Sequence, residues 1–223
     1  MNPSELKNFG LYAKDYGVSS LNLHYHKQKI SNSLTPYVLE ERQLNVTQMD
    51  VFSRLMMERI IWVAGEVNDN MSVVTQAQLM FLDSIDNNDI TMHIDSPGGS
   101  VKSGLSMVDV MEYISSDIRT INTGMAASMG SVLLGAGTKG KRGALRFSTT
   151  MLHQSSGGAG GNIQDARITF KEWEKVNNIL FDLLGSYCGK DPEQVKADAS
   201  RDLWLDANDA LTYGIIDEIV KKK

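Results

Sequence analysis

Between Ile60 and Gly137 the chain alternates short apolar runs with amphipathic segments, and small residues stand at the changes of period. "IIWVAG" reads as a buried strand that stops at Gly65, and "VTQAQLMFLDSI" as an amphipathic helix. "ITMHID" is a second strand that ends in "SPGGS"; a helix in "GLSMVDVMEYI", a strand in "IRTINTG" and a helix-like run in "MGSVLLGAG" follow. A short helix, "FSRLMMER", precedes the series. This alternation predicts an α/β layer fold whose strands feed loops at one edge of the sheet, where open α/β sheets place their ligands.

Beyond Gly137 the pattern continues with a strand in "RFSTTMLHQ" and a glycine cluster, "SSGGAGG", read as a flexible strand or hinge. The long segment "NIQDARITFKEWEKVNNILFDLLGSYCG" has helical periodicity and is expected to project from the body. The remainder predicts two helices joined by a turn around Trp204, then a short final strand. Residues 1–33 are rich in Ser, Asn, Lys and Tyr without a sustained period, which is the pattern of a detachable leader. His24 and His26 within it lack further ligands, so a solvated tail is expected there and not a metal site.

A length of 223 residues suits one domain with an appended tail. The net charge of -5 gives no basic footprint for nucleic acid. Cys188 is the one cysteine, which excludes an intramolecular disulfide and a thiolate pair for zinc and points to a reducing compartment. No stretch is apolar for long enough to cross a bilayer, so no membrane partner and a cytoplasmic protein are expected.

The chemistry centres on "GMAASMGSVLLGAG". A serine hydroxyl is a weak nucleophile until a base accepts its proton and donors stabilise the developing oxyanion. Ser128 falls at a strand-to-helix junction, where the Met129 amide is one of the helix N-terminal donors without an internal partner. Gly98 and Gly99 of "SPGG" can turn further N–H groups outward, although a tight turn explains them equally well. Of four histidines, two lie in the leader and His93 sits inside a strand, which leaves His153, at a strand end, as the base. An orienting carboxylate is also needed. Asp165, Asp182, Asp198, Asp202 and Asp206 all follow His153, and chemistry alone does not choose among them.

Taken together and in order, "SRLMMERIIWVAGEV", "HIDSPGGSVKSGLSMVDVM", "GMAASMGSVLLGAGTKGKR", "MLHQSSGG" and "SRDLWLDANDALTYGIID" resemble the ClpP family of ATP-dependent Clp protease proteolytic subunits. The likeness runs from about Leu34 to Val220. It implies a Clp/crotonase-type α/β spiral of ββα units with a projecting handle helix, and a serine peptidase triad of Ser128, His153 and Asp202. It further implies an oxyanion hole from the N–H groups of Gly99 and Met129, with no metal or bound cofactor. Family members assemble as two stacked heptameric rings, and a hexameric AAA+ unfoldase of the ClpX or ClpA type uses ATP to deliver unfolded polypeptides. By the same resemblance residues 1–33 are a propeptide cut near Ser33, residues 34–223 the peptidase domain, and residues 34–50 its N-terminal axial segment. Gly157 to Gly161 matches a strand beside the cleft to which an extended peptide adds.

Thr91 and His93 stand where many relatives have aromatic residues, which bears on the docking of the unfoldase. Ser200 replaces an acidic residue that pairs with the following arginine across the rings. The rival readings are a non-catalytic ring subunit of the same fold, a crotonase-like acyl-CoA enzyme and a plain interaction module. The first two do not require Ser128, His153 and Asp202 together, and only the projecting helix favours the third.

Overall fold

The computed structural model describes residues 37–42, 45–158 and 161–221. The expected leader, with its two histidines and the cut near Ser33, lies outside them. The chain divides into two compact units at Leu55. In the first, β1 (Tyr37–Arg42) and β2 (Asn45–Asp50) form an antiparallel pair; α1 (Val51–Met57) begins in it and ends in the second.

The second unit is built on a seven-stranded sheet. β3 (Ile60–Ala64), β4 (Ile90–Ser96) and β5 (Ile118–Ala127) run parallel side by side, joined through α2 (Asp69–Ile85) and α3 (Val101–Tyr113). Each helix starts where the sequence supplies an acceptor for its free N-terminal amides: Asn68 takes the Met71 N–H at 3.0 Å and Ser100 the Ser103 N–H at 3.3 Å. Arg59 ties the far end of α2 to the body, donating to the carbonyls of Leu82, Asp86, Asn88 and Asp89.

After β5 come α4 (Met129–Gly135), the two-residue β6 (Gly143–Ala144) and β7 (Thr149–Leu152). β5 carries both in succession, β6 against Ile121 and Asn122 and β7 against Met125 to Ala127. α5 (Ile163–Cys188) and α6 (Pro192–Asp198) lead to β8 (Leu203–Leu205), which pairs antiparallel with β7. α7 (Ala207–Tyr213) and β9 (Glu218–Ile219), parallel to β6, close the chain.

The expected alternation of strands and helices is present, with two differences. Trp204 lies inside β8 and not in a turn, because β7 offers it a ladder partner, Met151, that periodicity within "RDLWLD" cannot reveal. Gln154 to Gly158 forms no strand: these residues have no paired neighbour among those described, and glycine has little strand preference of its own. Residues 159 and 160 of that cluster lie outside the described set.

The core gathers Ile61 and Val63 of β3, Ile90, Met92 and Ile94 of β4, and Leu79 and Leu82 of α2 around Met129, Leu133 and Leu134 of α4. β4 is buried on alternate residues only, so Thr91, His93 and Asp95 face the other way. α5 meets the core only along its C-terminal half, through Leu180, Phe181, Leu184 and Cys188. Ile163, Ile168 and Phe170 in its N-terminal half are exposed, as expected of a helix that leaves the body.

Candidate active site

β5 ends at Ala127, and α4 begins at Met129, so a single residue makes the turn between them. That residue is Ser128, with φ 53° and ψ -121°, one of two non-glycine residues with positive φ among those described. The left-handed region is disfavoured for a side-chain-bearing residue, so the surrounding structure must hold Ser128 there. Its N–H donates to Met151 O at 2.9 Å, which locks the turn to β7, and its hydroxyl makes no cap bond to α4. The side chain is therefore free to meet a neighbour.

That neighbour is His153. Its Nε2 lies 2.9 Å from Ser128 Oγ. The sheet register accounts for the encounter: β5 and β7 run parallel with Ala127 opposite Met151, so the residues just beyond each strand emerge at the same edge. The β7–β8 register then supplies the third residue. Leu152 faces Leu203, and one further step along this antiparallel pair sets His153 opposite Asp202. His153 Nδ1 lies 3.3 Å from Asp202 Oδ1. A proton on Nδ1 faces the carboxylate and leaves Nε2 to accept from the serine hydroxyl. Of the five aspartates, Asp202 is thus the one brought to His153; Asp198 instead meets Tyr213, Asp206 caps α7, and Asp165 lies in the first turn of α5.

The second loop is built from "SPGG". Gly98 and Gly99 have φ of 92° and 147°, which only glycine adopts without strain. Gly99 bridges Val67 in parallel, with Val67 N–H donating to Gly98 O and Ser100 N–H to Val67 O, each at 2.8 Å. Because the residues flanking Gly99 make these bonds, its own N–H and C=O point away from Val67. Met129 N–H is the first amide of α4 and has no carbonyl within the helix to bind. Gly99 in its loop and Met129 at the start of α4 thus both have amides unclaimed by the elements they belong to.

Two supports of the site carry little signal in the sequence. Ser96 is fully buried; its hydroxyl donates to Gly65 O at 2.6 Å and accepts the Gly98 N–H at 3.1 Å, fixing the entry to the glycine loop. A bulge between β4 and β5 after Ile94 lets Asp95 Oδ1 accept the Met125 N–H at 3.0 Å, beside the strand that presents Ser128. A polar residue closing an apolar strand is the only local sign of either.

His93, the histidine assigned to a strand, is half-buried and stacks on Trp62 with ring centroids 4.8 Å apart. Among the described residues no three His, Cys, Asp or Glu side chains gather as a metal site, and no helix is long and apolar enough to cross a membrane.

A family model described as Clp protease matches residues 42–223. The chain is 49% identical over 220 residues to the ATP-dependent Clp protease proteolytic subunit of Bacteroides fragilis (strain YCH46), a match that covers 98% of this chain and 100% of the relative. It is 48% identical to the proteins of the same description from Bacteroides thetaiotaomicron, over 98% of this chain and 100% of the relative, and Porphyromonas gingivalis, over 97% and 99%. Sheet, helices and family match agree on the Clp/crotonase-type α/β fold, and the chain belongs to the Clp protease family.

Proposed function

We propose that this chain is the serine peptidase subunit of an ATP-dependent Clp protease, with Ser128 as nucleophile, His153 as general base and acid, and Asp202 as the orienting acid. The observation that carries the reading is the 2.9 Å approach of His153 Nε2 to Ser128 Oγ at a strained strand-to-helix turn. Ser128 attacks the peptide carbonyl as His153 takes its proton; the carbonyl oxygen becomes an oxyanion held by the N–H groups of Gly99 and Met129. His153 returns the proton to the leaving amine, then draws a proton from water that hydrolyses the ester on Ser128. Asp202 stabilises the imidazolium in both steps. No metal or nucleotide takes part in these steps. ATP belongs to the partner: the relatives are named as ATP-dependent, which supports an AAA+ unfoldase of the ClpX or ClpA type feeding unfolded polypeptides.

The assembly proposed is two stacked heptameric rings in the cytoplasm, with the exposed apolar side chains Ile163, Ile168 and Phe170 in the N-terminal half of α5 interlocking them. Residues 1–33 are proposed as a propeptide cut near Ser33, and residues 34–50 as the axial segment. N-terminal sequencing of active protein is expected to start near Leu34; an intact Met1 would overturn the cut. Labelling of the assembled protein with a fluorophosphonate is expected to place one adduct on Ser128, and Ser128→Ala to remove peptidase activity by several orders of magnitude. An unlabelled Ser128 in assembled protein would favour the non-catalytic ring subunit instead.

A further inference from the structure

The stripe of α5 that faces the body runs through Trp173, Val176, Leu180, Phe181 and Leu184, and in its middle sits one amide, Asn177. Side chains spaced three and four residues apart share a helix face, so Asn177 occupies a position that packing alone would give to an apolar residue. Its partner explains it. Asn177 Oδ1 accepts both the Ser155 N–H and the Ser155 hydroxyl, each at 3.0 Å. A backbone N–H can only donate, so the carbonyl side of the amide must face Ser155. One turn earlier on the helix the Trp173 ring closes on the same segment, so tightly that a Cβ added to Gly157 would lie 2.6 Å from it.

The held segment is the one that leaves His153. Among the described residues Gln154 to Gly158 has no strand partner, whereas β7 is fixed up to Leu152 by its ladders to β5 and β8. His153 thus stands between a stretch anchored by the sheet and one anchored by α5. We infer that Asn177 is a positioning residue for the catalytic histidine: by gripping Ser155 it fixes the backbone on the C-terminal side of His153 and keeps Nε2 within reach of Ser128. This rests on the peptidase reading above. The acceptor atom is what matters in this arrangement, so shape and hydrogen bonding make separable predictions.

Asn177→Leu keeps the bulk and removes the acceptor; Asn177→Asp keeps an acceptor oxygen in place. With a short peptide substrate, Asn177→Leu is expected to lower kcat about tenfold with KM unchanged within about twofold, since a misplaced reacting group weakens only the transition state. Asn177→Asp is expected to keep at least half of wild-type kcat. Hydrogen exchange of the peptide spanning residues 152–158 is expected to rise in Asn177→Leu and not in Asn177→Asp. Should Asn177→Leu fail to assemble, Asn177→Ser, too short to reach Ser155, takes its place with the same expected loss. The inference is overturned if the acceptor-free variant keeps kcat within about twofold, if the Asp and Leu variants lose equally, or if exchange of that segment is unchanged. A wild type that cleaves no peptide would instead overturn the peptidase reading, a result distinct from an active wild type with an indifferent Asn177.

Discussion

Gly98 stands so close to Ser128 that a Cβ built on the glycine would lie 2.6 Å from the serine Cβ and 2.9 Å from the Met129 nitrogen. With φ 92°, Gly98 also occupies a conformation closed to other residues. Gly98→Ala therefore displaces the nucleophile, the helix-start amide or the glycine loop, all of which serve the proposed chemistry. We expect a folded protein whose Ser128 labels with fluorophosphonate at least about 100-fold more slowly, the scale of losing an oxyanion donor. Labelling at the wild-type rate would show that the loop and the serine are independent.

In the proposed triad Asp202 acts through His153, not on the substrate. It lies 3.3 Å from His153 Nδ1 and is 59% exposed, so water shares in stabilising the imidazolium. Asp202→Asn keeps the shape and removes the charge. Its kcat is expected to fall about 10²- to 10³-fold with KM nearly unchanged, a smaller loss than that of Ser128→Ala. Steady-state assay on a short peptide decides it; a loss under about threefold would remove Asp202 from the proposed role.

The sequence disclosed the alternation of elements because parallel strands and their covering helices each carry a local period. Ser128 and His153 were legible as residues placed at element ends. Asp202 was not legible from residue types, since its assignment depends on the β7–β8 register, a pairing across about 50 residues that no local period encodes. The family likeness supplied it instead. The strand position of Trp204 depends on the same long-range pairing. Asn177 and Ser96 escaped notice because a single polar residue in an apolar stripe acquires meaning only from a distant partner, Ser155 in one case and the Gly65 carbonyl in the other.

Arg142 is 1% exposed and grips Asp217 through Nε at 2.8 Å and Nη2 at 2.6 Å, while Nη1 and Nη2 also donate to the carbonyls of Tyr187 and Gly214. Burial opposes the Asp217 charge, but the hydrogen bonds and charge of Arg142, with the Gly140 N–H, outweigh it and hold the carboxyl well below the usual range. The pair thus stabilises the fold above about pH 4, where unfolded Asp ionises, and that stability is lost as pH falls toward the folded value. Asp217→Asn strands a buried guanidinium and is expected to lose about 3–5 kcal/mol at pH 7. In thermal melts the gap to wild type should be widest near neutrality and narrow below about pH 4; a gap independent of pH would contradict the charge argument.

His93 is shifted in the same direction for the opposite reason, because its surroundings disfavour its charged form where those of Asp217 favour it. Burial first, and the Arg119 charge second, lower its pKa from the ordinary 6.5, and Nδ1 has no hydrogen-bond partner among the described residues. The fold holds the neutral ring against Trp62, so its contribution is present above about pH 6.5 and is lost as pH falls through the folded value. His93→Phe keeps an aromatic partner for Trp62 without the unpaired nitrogen or the proton. Its melting temperature is expected to exceed that of wild type, by more at pH 5.5 than at pH 8. An advantage of equal size at both would mean that packing, and not protonation, separates the two.

The N-terminal half of α5 tests the proposed assembly. Ile168 is 66% and Phe170 57% exposed, and Phe170 meets Trp173 edge-on at 5.6 Å, while the core contacts of the helix begin only at Leu180. Apolar side chains left in water on a helix that its own body does not cover are expected to be buried by another copy, each burial favouring association by about 1.5–3 kcal/mol. Phe170→Asp replaces that gain by the desolvation of a charge, repeated at every copy in a symmetric assembly. Because the residue lies outside the core, each subunit should keep its far-ultraviolet circular dichroism while sedimentation velocity shows single rings or smaller species. If Phe170→Asp sediments as the wild type does, this face of α5 does not join the rings, and the contact between them must be sought elsewhere on the subunit.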